Sequence, residues 1–492
     1  MGKQGLAILH VDGLSYRYLL KALEQGRMPF VKHLVDEEGY EVLRYRCGIP
    51  STTPFAQAGI LYGDNSEIPS FRWWDKQSGL EVSFGGMSTF KHVAHKYFGG
   101  SDPLVRDGAS IATCFPSAAA ATYRLAYREH GYSMNRPPFS QKRALANWAL
   151  NPLHLLDWTW RGLLQIWKAN LQYWRTLLSG RPAAKMYIVS DMLEEILLHQ
   201  LTRFATVEAM QEGYASIYAA FYAYDETAHA FGPESDYSFR ILRHIDNTIR
   251  RIAANRQGKA DGRDYELVIL SDHGQVETVP FDRQYGHRLG QIVSEWLPTF
   301  EVEELKGKRF TPKAAIDGHI LLTFSGGLAH WYFKDISWRL GYDEIEERFP
   351  GLVAKVAATP GIGFVLLRNG DENHILTSEA HFRFDADGKL PRGARDFLAR
   401  YDEPDVLACQ LDRLNSFHRS GDIILFGEYL DDHQINFENQ VGGHGSVGGE
   451  QLFPFILAKR EWKFNTADVI GSYQLYPLLK RLKDKLVVPG MG

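Results

Sequence analysis

At 492 residues, with 45% hydrophobic and 23% charged residues, the chain has globular proportions and room for one large α/β domain with insertions, or for two to three domains. A formal net charge of −4 with Lys and Arg scattered singly excludes a nucleic-acid polyanion as the main partner, so no stable nucleic-acid binding is expected. Three widely spaced cysteines, Cys47, Cys114 and Cys409, exclude a disulfide framework and a thiolate zinc site and fit a reducing, cytoplasmic interior.

From Met1 the chain runs through a few polar residues straight into LAILHVDG, with no apolar core and small-residue cleavage site of a secretory signal. Leu6 stands where a myristoylation motif needs Ser or Thr. No window reaches the ~20 apolar residues of a membrane-spanning helix, so a soluble protein, or one lying on a membrane, is expected.

Leu6–Val11 reads as a buried strand followed by Asp12 and Gly13. An amphipathic helix follows at Tyr18–Leu23, and helical spacing returns at Phe30, Val31, Leu34 and Val35. In CGIPSTTPFAQAGILYG, Pro50 and Pro54 bracket Ser51, Thr52 and Thr53, placing the hydroxyls on a rigid turn that opens a helix. A helix start offers free N–H groups and a positive dipole end, both suited to an anion. Ile68–Asp75, IPSFRWWD, reads as an aromatic loop carrying Arg72, with Trp73 and Trp74 available to stack on a base or cover an acyl chain, or simply to pack.

Ser101–Ala121 is rich in small residues and poorly defined. Between Asn147 and Ser179 a mostly helical stretch carries Trp148, Trp158, Trp160, Trp167 and Trp174 with Arg161, Lys168 and Arg175. It reads as an aromatic cap on the core, or as an interfacial helix making peripheral membrane contact. Arg203–Glu212 is helical, and Ser216–Tyr224 runs into DETAH before a helix with apolar positions at Phe239, Leu242, Ile245 and Ile249. The basic segment Arg250–Arg263 connects to LVILSDHGQ, Leu267–Gln275, a buried strand ending in Asp272, His273 and Gly274. Between Pro280 and Ser420 the pattern is mixed, with strands expected at His319–Phe324, Ala329–Phe333 and Gly363–Leu367. Asp422–Gly427 returns to a buried strand, followed by the GGHGSVGG loop and a final strand at Phe453–Leu457.

Ligands of open α/β sheets gather at the carboxyl ends of strands. Asp12, Asp225 with His229, Asp272 with His273, and His444 all stand at such ends or in a glycine-rich loop. Three carboxylates and three imidazoles suffice for two first-row metal ions with about three protein ligands each. Asp225 and His229 are four apart, so one helical turn puts both on one face. Two such ions beside the Ser51–Thr53 turn would activate a hydroxyl and stabilise a leaving group, with the helix start adding donors.

The order of these motifs resembles the alkaline phosphatase superfamily, and within it the type I phosphodiesterase/nucleotide pyrophosphatase branch, close to bacterial predicted phosphodiesterases. The matching elements are Asp12, the Pro50–Thr53 turn, Asp225–His229, Asp272–Gly274 and His444–Gly445, spread from Leu6 to Leu457. The resemblance implies Thr53 as a nucleophile that becomes phosphorylated. It implies one metal on Asp12, Thr53, Asp272 and His273, and a second on Asp225, His229 and His444. Zinc is the usual ion there, and manganese serves in related mutases. Where the branch often has an asparagine shortly after the turn, Phe55, Ala56 and Gln57 stand here.

The expected fold is a doubly wound, mostly parallel α/β sheet with helices on both faces. The core covers residues 1–83, 186–279 and 421–492, with a helical Trp-rich insertion at 84–185 and a small α+β cap at 280–420. The expected function is a two-metal phosphodiesterase acting on a small phosphoester, a nucleotide or a lipid head group, with Arg72, Trp73 and Trp74 as substrate residues. A diester is favoured because no arginine clamp for a dianion is evident. The alternatives are a phosphomonoesterase or phosphonate hydrolase on the same scaffold, and a catalytically silent membrane-surface or partner-binding module.

Overall fold

The computed structural model describes residues 3–84, 87–115, 117–123, 189–257, 262–310, 312, 315–385, 390–430 and 433–487, with single positions between 160 and 178. Its centre is a seven-stranded sheet in the order Tyr40–Arg44, Phe455–Lys459, Arg263–Leu270, Lys3–Val11, Ser216–Phe221, Ala109–Ile111, Ala121–Tyr123. The Lys3–Val11 strand pairs in parallel with both of its neighbours, and the two short strands extend the parallel run. The Phe455–Lys459 and Tyr40–Arg44 strands close the other edge antiparallel.

The apolar runs in these strands follow from burial on both faces. Leu6 and Ile8 enter one core cluster, together with Phe55 of the Thr53–Tyr62 helix and Leu479 of the Leu475–Val487 helix. Ala7, Leu9 and Val11 enter the other, with Leu19, Leu34 and Ile245 from the Tyr16–Glu24, Pro29–Glu37 and Asp236–Ala253 helices. Helices therefore cover both faces of a mostly parallel sheet. Truncating a fully buried strand residue such as Leu9 to Ala would cost about 2–5 kcal/mol.

A second, eight-stranded sheet runs Arg309–Phe310, Phe300–Glu304, Gly318–Ser325, Leu328–Phe333, Ile423–Gly427, Ile362–Asn369, Glu372–Leu376, His381–Asp385. Leu321, Tyr332, Phe364 and Phe426 on one of its faces belong to the same core cluster as Leu6 and Ile8. The opposite face, with Ile320, Leu322 and Val365, has a core of its own.

Two boundaries differ from the sequence reading. Ile423–Gly427, assigned to the 421–492 part of the core, is a strand of the second sheet between Leu328–Phe333 and Ile362–Asn369. It is apolar on both faces, so its sequence looks alike in either sheet. Ala109–Ile111 and Ala121–Tyr123, inside the expected 84–185 insertion, are strands of the central sheet, too short to show a period. The Ile68–Asp75 stretch ends in a hairpin, Arg72–Asp75 with Leu80–Ser83.

A three-stranded ribbon joins Val276–Pro280 to Gln434–Asn436 and Gly442–Gly443, next to the carboxyl end of Arg263–Leu270. Trp148, Trp158 and most of the Trp-rich stretch lie outside the described residues. Among the described residues no helix is long and apolar enough to cross a membrane.

Candidate active site

Three neighbouring parallel strands deliver the first ligand candidates to one edge. Asp12 directly follows Lys3–Val11, and Asp272 and His273 follow Arg263–Leu270. The Ala223–Phe231 helix, which carries Asp225 and His229, begins two residues after Ser216–Phe221 ends. Thr53 opens the Thr53–Tyr62 helix, where Pro54 has no N–H to leave unpaired. His444 arrives through the ribbon: Gly443 pairs with Val276, and Val441 N–H donates to His229 O at 2.9 Å. Gly13 has φ +72°, and a Cβ there would fall inside the Asp225 carboxylate, so the turn must be glycine for the two acidic residues to approach.

Thr53 Oγ1 lies 3.1 Å from His273 Nε2 and 3.4 Å from Asp12 Oδ1. His273 Nε2 is 3.4 Å from Asp12 Oδ1 and 3.5 Å from Asp272 Oδ2. Beside this group, His229 Nε2 stands 3.1 Å from Asp225 Oδ2 and 3.2 Å from His444 Nε2. The His273 and His444 rings stack with centroids 3.9 Å apart, so the two groups share a wall. Atoms of Asp225, His273 and His444 lie within 4.8 Å of one another, as do those of His10, Asp12 and Asp272.

The outward nitrogen of each site imidazole is spoken for. His229 Nδ1 donates to Gly442 O at 2.8 Å, His444 Nδ1 to Ser51 O at 2.7 Å, and His273 Nδ1 to Gly274 O at 3.0 Å. That leaves the three Nε2 atoms as the nitrogens that face the carboxylates. Asp272 Oδ2 is buried without a hydrogen-bond donor among the described residues. Burial, then the Asp272 and Asp225 carboxylates, push the Asp12 carboxyl well above its ordinary range. Burial opposes ionisation of Asp225 and Asp272 too, but His229 beside the first and His273 and His10 beside the second hold both below the usual range. His229 is disfavoured as a cation by burial, yet Asp225 raises it to about 9. His444 is pushed down to about 3 by burial and by His273. Converging imidazole nitrogens and clustered carboxylates make a donor set that divalent cations fit.

His10 is absent from the sequence reading. Its Nε2 stands 2.9 Å from Asp272 Oδ1. Cys114 N–H donates to Gln57 Oε1 at 2.9 Å, which turns the Gln57 amide nitrogen to His10 Nδ1 at 3.4 Å. His10 thus presents its Nε2 to Asp272 at ion-pair distance, outside hydrogen-bond geometry. Gln275 was also overlooked: its amide donates to Asp225 Oδ1 at 2.5 Å and to Asp225 O at 3.0 Å. The available signal was spacing, His10 two residues before Asp12 on a strand and Gln57 four after Thr53 on a helix.

Arg72 donates to Glu438 at 2.7 Å and to Phe324 O at 2.9 Å. It lines a cavity of about 230 Å³ with Arg288, Lys306, Phe281, Phe324 and Phe437. Trp73 is fully buried against Phe84, and Lys334 lies over the Trp74 ring at 4.5 Å. Among the described residues none of the three has a polar contact with Thr53 or the carboxylate–imidazole cluster.

The family model described as type I phosphodiesterase / nucleotide pyrophosphatase matches residues 6–320. No curated protein matches the chain in sequence. Among solved structures, phosphonoacetate hydrolase from Sinorhizobium meliloti 1021 in complex with phosphonoacetate is 15% identical with a TM-score of 0.52, covering 98% of this chain and 96% of that one. An inactive form of murine ectonucleotide pyrophosphatase/phosphodiesterase 5 in complex with AMP is 14% identical with a TM-score of 0.50, covering 100% and 97%. Human ectonucleotide pyrophosphatase/phosphodiesterase 5 is 14% identical with a TM-score of 0.50, covering 99% and 97%. At these identities the likeness is one of fold.

Proposed function

The chain belongs to the type I phosphodiesterase/nucleotide pyrophosphatase family, and on that premise we propose that it is a two-metal phosphodiesterase with Thr53 as its nucleophile. The observation that carries this reading is the Thr53 hydroxyl at a helix start, 3.1 Å from His273 and 3.4 Å from Asp12, inside a cluster rich in inward-facing acceptors. Asp12, Thr53, Asp272 and His273 would hold one ion, and Asp225, His229 and His444 the other. Carboxylate and imidazole donors without thiolate suit zinc, with manganese the alternative. When bound, such ions lower the pKa of the alcohol and neutralise charge on the phosphoryl oxygens.

Attack of Thr53 Oγ1 on phosphorus forms a phosphothreonine diester as the bond to the leaving alkoxide breaks, and that alkoxide takes up a proton. Water then cleaves the phosphothreonine, returning the hydroxyl and releasing a phosphomonoester. The Thr53–Tyr62 helix start, which has no side-chain cap, would add N–H donors for the anion. The substrate class is a small phosphodiester of the size of a nucleotide or a lipid head group; the related enzyme solved with AMP supports a product of that size. Free Cys47, Cys114 and Cys409 support a cytoplasmic, reducing setting.

The test compares zinc-loaded protein on bis-p-nitrophenyl phosphate and p-nitrophenyl phosphate, with Thr53→Ala alongside. Diester turnover should exceed monoester turnover and fall about 10³-fold or more in the variant. Monoester preference would move the protein to the phosphatase reading, and activity retained by Thr53→Ala would remove Thr53 as nucleophile.

A further inference from the structure

The described positions 160, 163, 166, 167, 170, 171, 173–175 and 178 are helical. Trp160, Leu163, Trp167, Trp174 and Leu178 are 50 to 84% exposed. At helical periodicity their spacing by three, four and seven residues corresponds to one stripe roughly 60° wide. Ile166 points elsewhere and packs against the core cluster that contains Leu9 and Leu19. The helix is thus anchored by one side while three indoles and two leucines face out. Five exposed large apolar side chains at such spacing mark an interaction surface.

The charge of the sequence around these positions selects the partner. From Arg124 to Lys185 the sequence carries ten Lys and Arg against Glu129 and Asp157, in a chain whose net charge is −4. The segment is a basic island on an otherwise acidic protein. A symmetric pair of copies would bring two such islands face to face and repel. An anionic bilayer matches both properties, because indole rings settle at head-group depth while Lys and Arg attract acidic lipids.

We propose that this helix docks the protein on an anionic lipid surface, with Trp160, Trp167 and Trp174 entering the head-group layer. The inference goes beyond the ester chemistry and stands whether or not Thr53 is the nucleophile.

The test is co-sedimentation of the full chain with vesicles of phosphatidylcholine containing phosphatidylglycerol, and with phosphatidylcholine alone. Binding should require the anionic lipid and weaken as salt is raised. It should fall at least about tenfold in the combined Trp160→Ala, Trp167→Ala and Trp174→Ala variant. A second variant, Arg161→Gln with Lys168→Gln and Arg175→Gln, keeps the indoles and should lose the preference for anionic lipid. Circular dichroism melting and ester turnover in solution should be unchanged in both variants. Failure to bind anionic vesicles, equal binding to neutral vesicles, or wild-type binding by the tryptophan variant would overturn the proposal. So would a dimer in light scattering that the tryptophan variant dissociates, which would assign the face to a second copy.

Discussion

Alternation along the first strand sends Leu6 and Ile8 to one core cluster, and it carries His10 to that same side, against Asp272. With its Nδ1 facing the Gln57 amide and its Nε2 2.9 Å from Asp272 Oδ1, His10 is placed to orient that carboxylate, whose Oδ2 has no hydrogen-bond donor among the described residues. Removing such a partner typically lowers metal affinity 10–100-fold. His10→Ala should therefore weaken zinc binding by about that factor in calorimetric titration, with Asp225 and His229 still binding. Unchanged affinity at both sites would remove His10 from this role. Asp12, Asp225, Asp272 and His444 were legible because each stands beside a glycine or at the end of an apolar run, where a polar residue has little packing reason to be. His10 was not, because one histidine inside an apolar run is indistinguishable from a core residue until its neighbours across the sheet are known.

At the scale of elements, the Pro29–Glu37 helix has Met28 at its N-cap and no side chain of its own to satisfy its first amides. Asp246, on the Asp236–Ala253 helix, supplies the cap from across the core, accepting from Val31 N at 2.9 Å and Phe30 N at 3.1 Å. Asp246 is 1% exposed and Val31 is fully buried, so the Val31 amide has no water to fall back on. Asp246→Ala should lower unfolding free energy by about 1–2 kcal/mol, read as a shift in urea midpoint at constant slope. An unmoved midpoint would show that the helix start needs no cap. The helix was readable from the period of Val31, Leu34 and Val35, whereas its cap was not, since residue 246 is remote in sequence. The same division explains the strands. Long apolar runs such as Leu267–Leu270 announce themselves, but Ile423–Gly427, apolar on both faces, gives no sign of which sheet it joins.

The two sheets share a core, and a histidine ties the second sheet to the Ile68–Asp75 stretch. His330, fully buried in the Leu328–Phe333 strand, donates from Nε2 to Pro69 O at 3.0 Å and accepts at Nδ1 from Gly421 N at 2.9 Å. The Gly421 contact requires the neutral ring, because a proton on Nδ1 would face the Gly421 N–H. Burial accordingly lowers its pKa from 6.5 to about 3. Above pH 6.5 the ring is neutral in folded and unfolded chains alike, and this contribution to stability is complete. Below it the unfolded chain takes up a proton that the folded chain refuses, so stability falls with pH until the folded pKa near 3 is reached. The slope from this one group approaches about 1.4 kcal/mol per pH unit. Urea unfolding of metal-free protein at a series of pH values from 7 to 5 should show that decline. His330→Gln, with no proton to gain, should start less stable but decline less steeply by about the same amount. Parallel declines in the two proteins would mean that His330 is protonated without penalty and that the Pro69–Gly421 tie does not depend on a neutral ring.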